Sequence, residues 1–320
     1  MRRRGLAVLA AFCLFSTAAG AAGLQRIDLP GNGAAPPLVG AVWTPCARPA
    51  GLVRLRRIMV PGVMNCPVKG TKLPLIVISH GFNGWFGGHH DMAEALADVG
   101  FVVAAITHKN EFGRSWHAGR PAAIKRLIDH MLKRWPERTR IDASRIGFFG
   151  FSRGGYTGLV LVGGVPNFWR IVRHCREVPA DPVCRPTSAP RRRSGGTAKR
   201  AKPVYVHDAR IKAAVIAAPL GVIFGREALK SVRVPIQLWR AEKDKRELFP
   251  YHTDAVAKAL PNKPDYRLVP AGHFAFLAPC TARQAEAIPA LCRDANGFDR
   301  VAFHKRFNAA VTKFFKENLR

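Results

Sequence analysis

Acidic side chains are scarce in this 320-residue chain: 21 Asp and Glu stand against 51 Lys and Arg, giving a formal charge of +30 at pH 7. That imbalance turns attention to anionic partners such as nucleic acid, anionic lipid or lipopolysaccharide. No nucleic-acid-binding motif is present and aromatics are not interleaved with the basic residues, which argues against specific nucleic-acid recognition. Much of the excess is local, in RRRSGGTAKRAK (191–202), which reads as a solvated loop. Long apolar runs are also missing. The opening run, Leu6 to Phe15, is about ten residues, too short for a hydrocarbon core about 30 Å thick, and no later segment can span one. No cysteine pair has histidines at zinc-ligand spacing, so the sequence carries no zinc signature and no metal is expected. Internal repeats are absent.

Hydrophobic residues make up 48% of the chain, enough to fill a substantial core. The opening MRRRGLAVLAAFCLFSTAAGAAG joins three arginines, the apolar run and small residues with Ala19 and Ala21 in an A-x-A arrangement. It reads as a secretory signal over residues 1–21, leaving a soluble domain at 22–320 that is secreted or periplasmic. Phe12 is a poor neighbour for lipid attachment at Cys13. Loss of the signal leaves Cys46, Cys66, Cys175, Cys184, Cys280 and Cys292, and an exported chain with these cysteines is expected to form disulfides. Their clustering favours the pairs 46 with 66, 175 with 184 and 280 with 292, each short loop contributing roughly 3 kcal/mol in the chain-entropy model.

Beyond residue 70, apolar runs alternate with helical patterns, as in a parallel sheet covered on both faces. LPLIVISHG (73–81), FVVAAITH (101–108), RIGFFGFS (145–152), IKAAVIAAPL (211–220), VPIQLWRA (234–241) and DYRLVP (265–270) read as strands. Helices are expected at 92–100, at 121–135, after Ser152, at HTDAVAKALP and over RVAFHKRFNAAVTKFFKENL (300–319). The stretch from Leu24 to Val60 supplies antiparallel edge strands. Residues 165–209, with prolines, two cysteines and the basic run, break the rhythm and read as an insertion after the helix that follows Ser152.

Gly150, Ser152 and Gly154 form G-x-S-x-G where a strand meets a helix. The pattern alone arises by chance in roughly one chain of this length in ten, so its context decides. A nucleophile on such a turn needs glycine two residues away on either side, because side chains there collide. The helix N-terminus behind it presents the Arg153 N–H to a developing oxyanion. A second donor, the N–H of Phe82, is expected from SHGFNGWFGG (79–88), in which His80 reads as a packed core histidine.

A serine hydroxyl needs a base, and histidine has the suitable pKa. His273, in VPAGHFAFLAPC after the last strand, fits this role. His252 and His304 read as surface or packing residues, and His89 and His90 come too early in chain order. The acid that orients the imidazole should follow the penultimate strand, where LWRAEKDKRELF offers Glu242 and Asp244; Asp244 has the better reach. Asp254 reads as solvated. Phe82, Trp85, Phe86 and Trp116 are candidates for lining an acyl pocket.

With these residues in view, the chain from about Leu75 to residue 280 resembles the α/β-hydrolase superfamily. RIGFFGFSRGG, SHGFNG, AEKD and AGHFAFLAPC look like the predicted dienelactone hydrolases and the platelet-activating-factor acetylhydrolase-like secreted enzymes. The similar polyester-cleaving cutinase-like group shares the serine elbow and local cysteine pairing. The resemblance implies Ser152 as nucleophile, Asp244 as acid, His273 as base, and Phe82 with Arg153 as oxyanion donors. True dienelactone hydrolases carry cysteine where this chain has Ser152, so the label says little about substrate. The expectation is a secreted serine esterase acting on a small-molecule or lipid ester without a cofactor. Its rivals are an amide or thioester hydrolase with the same triad, and a non-catalytic basic protein that binds anionic surfaces.

Overall fold

A computed structural model describes residues 21–31, 33, 35–109, 115–185 and 203–320. The expected signal, apart from Ala21, and the basic run 191–202 lie outside the described residues. Near-continuous apolar runs form the sheet because a parallel strand covered on both faces has no polar side to show. Its strands are β1 (Gly23–Leu29), β2 (Leu38–Thr44), β3 (Gly51–Leu55), β4 (Ile58–Met64), β5 (Leu73–Ser79), β6 (Val102–Ile106), β7 (Ile141–Phe151), β8 (Ile211–Ala217), β9 (Ile236–Ala241) and β10 (Asp265–Val269). They lie in the order β10-β9-β8-β7-β5-β6-β2-β1-β4-β3. From β10 to β6 all neighbours are parallel. Beyond β6 the pairing turns antiparallel, except for a short parallel register between β1 and β4.

The helices are α1 (His90–Asp98), α2 (Trp116–Lys133), α3 (Arg153–Leu161), α4 (Trp169–Glu177), α5 (Arg226–Leu229), α6 (Thr253–Ala259), α7 (Ala282–Ala287), α8 (Pro289–Cys292) and α9 (Arg300–Asn318). Successive residues of β5 enter opposite core layers. Ile76 and Ile78 join α1 and α9 through Leu96, Phe307 and Phe315, whereas Leu75 and Val77 join α2, α3 and α6 through Leu127, Leu159 and Val256. This is a mostly parallel sheet wrapped by helices on both faces, as the sequence pattern predicts. Among the described residues no helix is long and apolar enough to cross a membrane. The outer strands β3 and β10 have five residues each; they carry exposed Arg54 and an Arg267 paired with Asp265.

Three disulfides join Cys46 to Cys66, Cys175 to Cys184 and Cys280 to Cys292, with Cα separations of 5.9, 5.4 and 5.7 Å. Each ties a segment outside the parallel strands. Where an irregular insertion is expected after α3, the chain forms a short amphipathic helix, α4, rich in arginine, whose repeat is masked by the prolines that follow it.

Helix α2 begins at Trp116 rather than at Pro121, so that proline sits inside a helix. Proline has no N–H for the carbonyl four residues back. The Tyr156 hydroxyl donates to that carbonyl, on His117, at 3.0 Å, and burial raises the phenol pKa. Tyr156→Phe removes this buried bond, and urea unfolding should show a loss of about 1 kcal/mol.

Candidate active site

Ser152 stands between β7 and α3 with φ 55° and ψ −117°, a conformation that side-chain-bearing residues rarely adopt. The surroundings impose it. The Ser152 N–H donates to the Ala217 carbonyl at 2.8 Å, and its own carbonyl accepts from the Tyr156 N–H at 3.1 Å and the Leu220 N–H at 3.3 Å. A Cβ on Gly150 would lie 2.3 Å from the Gly154 carbonyl oxygen, and one on Gly154 would lie 1.9 Å from the Ser79 carbonyl oxygen. Neither glycine can therefore be replaced without moving backbone.

The loop after β5 lies against this turn. A Cβ on Gly81 would stand 3.4 Å from the Cβ of Ser152. Buried Arg120 ties the loop to α3: its Nη2 donates to Ser79 Oγ at 3.2 Å and to the His80 carbonyl, and its Nε donates to Thr157 Oγ1 at 3.1 Å. His80 donates from Nδ1 to the Gly81 carbonyl at 2.6 Å and accepts at Nε2 from the His108 N–H at 3.0 Å. These bonds fix a neutral tautomer, in keeping with a pKa held well below the ordinary histidine value by burial and by the Arg120 charge. Because a trans peptide points its C=O and N–H in opposite directions, anchoring the Gly81 carbonyl also sets the direction of the Phe82 N–H. The Arg153 guanidinium lies 4.2 Å from the centres of both the Phe82 and Trp116 rings, a cation–π sandwich beside Ser152.

Strands β7, β9 and β10 run parallel, so the segments leaving them emerge at one rim of the sheet. His273 follows β10 and opens a short 3-10 turn; its Nδ1 lies 2.7 Å from Asp244 Oδ2, and both side chains are about nineteen-twentieths buried. The other Asp244 oxygen accepts from the N–H groups of Arg246 at 2.7 Å and Glu247 at 2.9 Å. Glu242 is exposed, and its N–H pairs with the Val269 carbonyl. The His273 ring stands 4.8 Å from that of Phe151, the residue before Ser152.

Other sequence-selected residues lie elsewhere. Of the surface and packing alternatives for His252 and His304, burial selects packing, and each meets a carboxylate: His252 faces Asp181 and Glu247, and His304 faces Asp91. His89 is buried and donates to the Phe276 carbonyl. Asp254 is not solvated; it pairs with Arg240 and accepts from the Tyr266 hydroxyl. Phe86 is a core residue with the Arg26 guanidinium over its ring, and Trp85 meets Arg56, so both rings engage the antiparallel edge of the sheet. Trp116 instead joins Arg153, Tyr156 and Phe168. Arg120 and Thr157 were not singled out in the sequence, since a lone buried polar contact leaves no pattern there.

Residues 52–117 match the family model for platelet-activating factor acetylhydrolase, isoform II. The acetylhydrolase match runs from β3 to the start of α2 and includes the Ser79–Phe82 loop. A platelet-activating factor acetylhydrolase from Cavia porcellus is 40% identical over 55 residues, which are 17% of this chain and 13% of that protein. The aligned part is thus a small fraction of the relative's length. The acetylhydrolase similarity and the mostly parallel, doubly covered sheet agree on an α/β-hydrolase fold.

His89, beneath this rim, has its pKa lowered to about 4, chiefly by burial. The folded chain therefore keeps it neutral while the unfolded chain binds a proton below about pH 6.5, so its contribution to stability is lost as pH falls from about 6.5 towards 4. Relative to His89→Gln, wild type should lose about 1.4 kcal/mol of unfolding free energy per pH unit across that window, read by urea melts at a series of pH values.

Proposed function

We propose that the protein is an exported serine hydrolase that cleaves carboxylic esters through an acyl-enzyme. The observation that carries this reading is the forced backbone of Ser152, held between two irreplaceable glycines at the rim where the buried His273–Asp244 pair also emerges. In the proposed reaction His273 takes the Ser152 hydroxyl proton as Oγ attacks the ester carbonyl, then gives it to the departing alcohol. Water, deprotonated in turn by His273, releases the acid. Asp244 remains a carboxylate throughout; its bond to Nδ1 leaves Nε2 as the proton-accepting atom, and its two backbone donors keep it aimed. The Phe82 and Arg153 N–H groups would receive the oxyanion.

The relative's printed name speaks of an acetylhydrolase acting on platelet-activating factor, and we extend to this chain a short acyl ester of an amphipathic lipid as substrate class. Partly exposed Phe82 beside the Arg153 guanidinium offers an apolar and a cationic contact for such a molecule. The overall positive charge would favour approach to an anionic surface. Three disulfides suit a secreted or periplasmic setting.

A series of p-nitrophenyl esters from acetate to long acyl chains tests the reading. Ser152→Ala should lower kcat by at least about 10³-fold and lose fluorophosphonate labelling, and Asp244→Asn should lower kcat by about 10⁴-fold with little change in KM. Equal activity of wild type and Ser152→Ala would overturn it.

A further inference from the structure

A second cluster of chemistry-bearing side chains lies in the interior, beyond the Leu220–Gly221 segment whose N–H groups reach the Ser152 carbonyl and His252 Nδ1. His174 on α4, Asp181 in the turn closed by the Cys175–Cys184 disulfide, and His252 just before α6 converge there, all buried. Asp181 Oδ2 lies 2.8 Å from His174 Nε2 and 3.1 Å from His252 Nε2. The three ligand atoms fall within 4.8 Å of one another. We propose that these residues bind a divalent cation of the zinc class.

Donor geometry supports this. Around a tetrahedral zinc ion with bonds of 2.0–2.2 Å, donor atoms stand roughly 3.3 Å apart. Two of the three separations, 2.8 and 3.1 Å, are close to that edge length and the third is within 4.8 Å, so seating a cation would draw the two imidazoles together. Two imidazole nitrogens and one carboxylate oxygen suit zinc, whereas calcium and magnesium take oxygen ligands almost throughout. Groups behind the donors also orient them. Two groups face His252 Nδ1, the Gly221 N–H, which donates to it at 3.2 Å, and Glu247 Oε2 at 2.5 Å, and they hold the ring with Nε2 facing the cluster. The second Asp181 oxygen accepts from the Val183 N–H at 3.0 Å, which fixes the carboxylate with its first oxygen inward.

The position gives the site a use. Two donors come from the segment after α3 and the third from the loop that carries Asp244, so a shared ion would pin the first to the second. Glu247 bridges the two places: its side chain meets His252, while its N–H donates to Asp244 Oδ1. This consequence for Asp244 rests on the proposed hydrolase reading; cation binding does not.

The test uses the full secreted chain, stripped with dipicolinate and dialysed. Calorimetric titration with zinc chloride should show one equivalent bound, and saturating zinc should raise Tm by about 5 °C. His174→Gln and Asp181→Asn should lose both effects. Cobalt(II) bound to wild type should give the visible absorption of a tetrahedral nitrogen–oxygen site, a readout that remains if the variants fold poorly. Absence of zinc binding in wild type, undiminished binding by folded variants, an octahedral cobalt spectrum, or stabilisation by calcium but not zinc would each overturn the proposal. Failure of Ser152→Ala to alter hydrolysis would leave these readouts unchanged, so the two readings stand or fall separately.

Discussion

One close approach governs the rim of this molecule: the backbone of α3 at Gly154 runs so near the Ser79 carbonyl that even a methyl group would overlap it. Helix and strand can meet at that distance only if the chain reverses within a single residue, and Ser152 is that residue. Its unfavourable torsion is offset by hydrogen bonds from β8 and the following loop, and by the apolar layers that clamp α3 onto the sheet. The same contact brings the β5 loop beside the serine.

Around that contact the protein buries polar groups whose desolvation would otherwise be costly. Arg120, Ser79, His80, His108 and Thr157 bond to one another and to the backbone, leaving His108 Nδ1 without a partner among the described residues, and this converts most of an expensive set of groups into a rigid support. Arg120 matters most here because one side chain reaches both the β5 loop and α3. The Phe82–Arg153–Trp116 stack extends the support outward beside Ser152.

The parallel strands were legible because burial on both faces demands unbroken apolar runs, and the turn at Ser152 was legible because its steric demand is written as two glycines at fixed spacing. The disulfides followed from proximity in sequence. The carboxylate that meets His273 was harder: Glu242 and Asp244 differ by two residues, and what distinguishes them is the path of the chain after β9, pinned by bonds from Glu242 and Lys243 to Val269 and Ala271. Helix α4 was hidden by the prolines around its amphipathic repeat. Whether His252 and His304 lie on the surface or pack inside, and the pairing of Asp254, were not legible, because Asp181, Asp91, Arg240 and Tyr266 meet them from other elements and no periodicity marks such a meeting. The reach of α2 back through Pro121 to Trp116 was hidden for a related reason, since a tyrosine from another helix bonds to the carbonyl that proline leaves unserved.

The two ends of the sheet have a consequence for behaviour in a crowd. A bare strand margin is a template on which another copy could add its own strand, and a row of such additions is the beginning of a fibre. Here both margins are only five residues long and carry outward arginines. Stacking there would gain only a very short ladder, so concentrated protein should resist that route to precipitation.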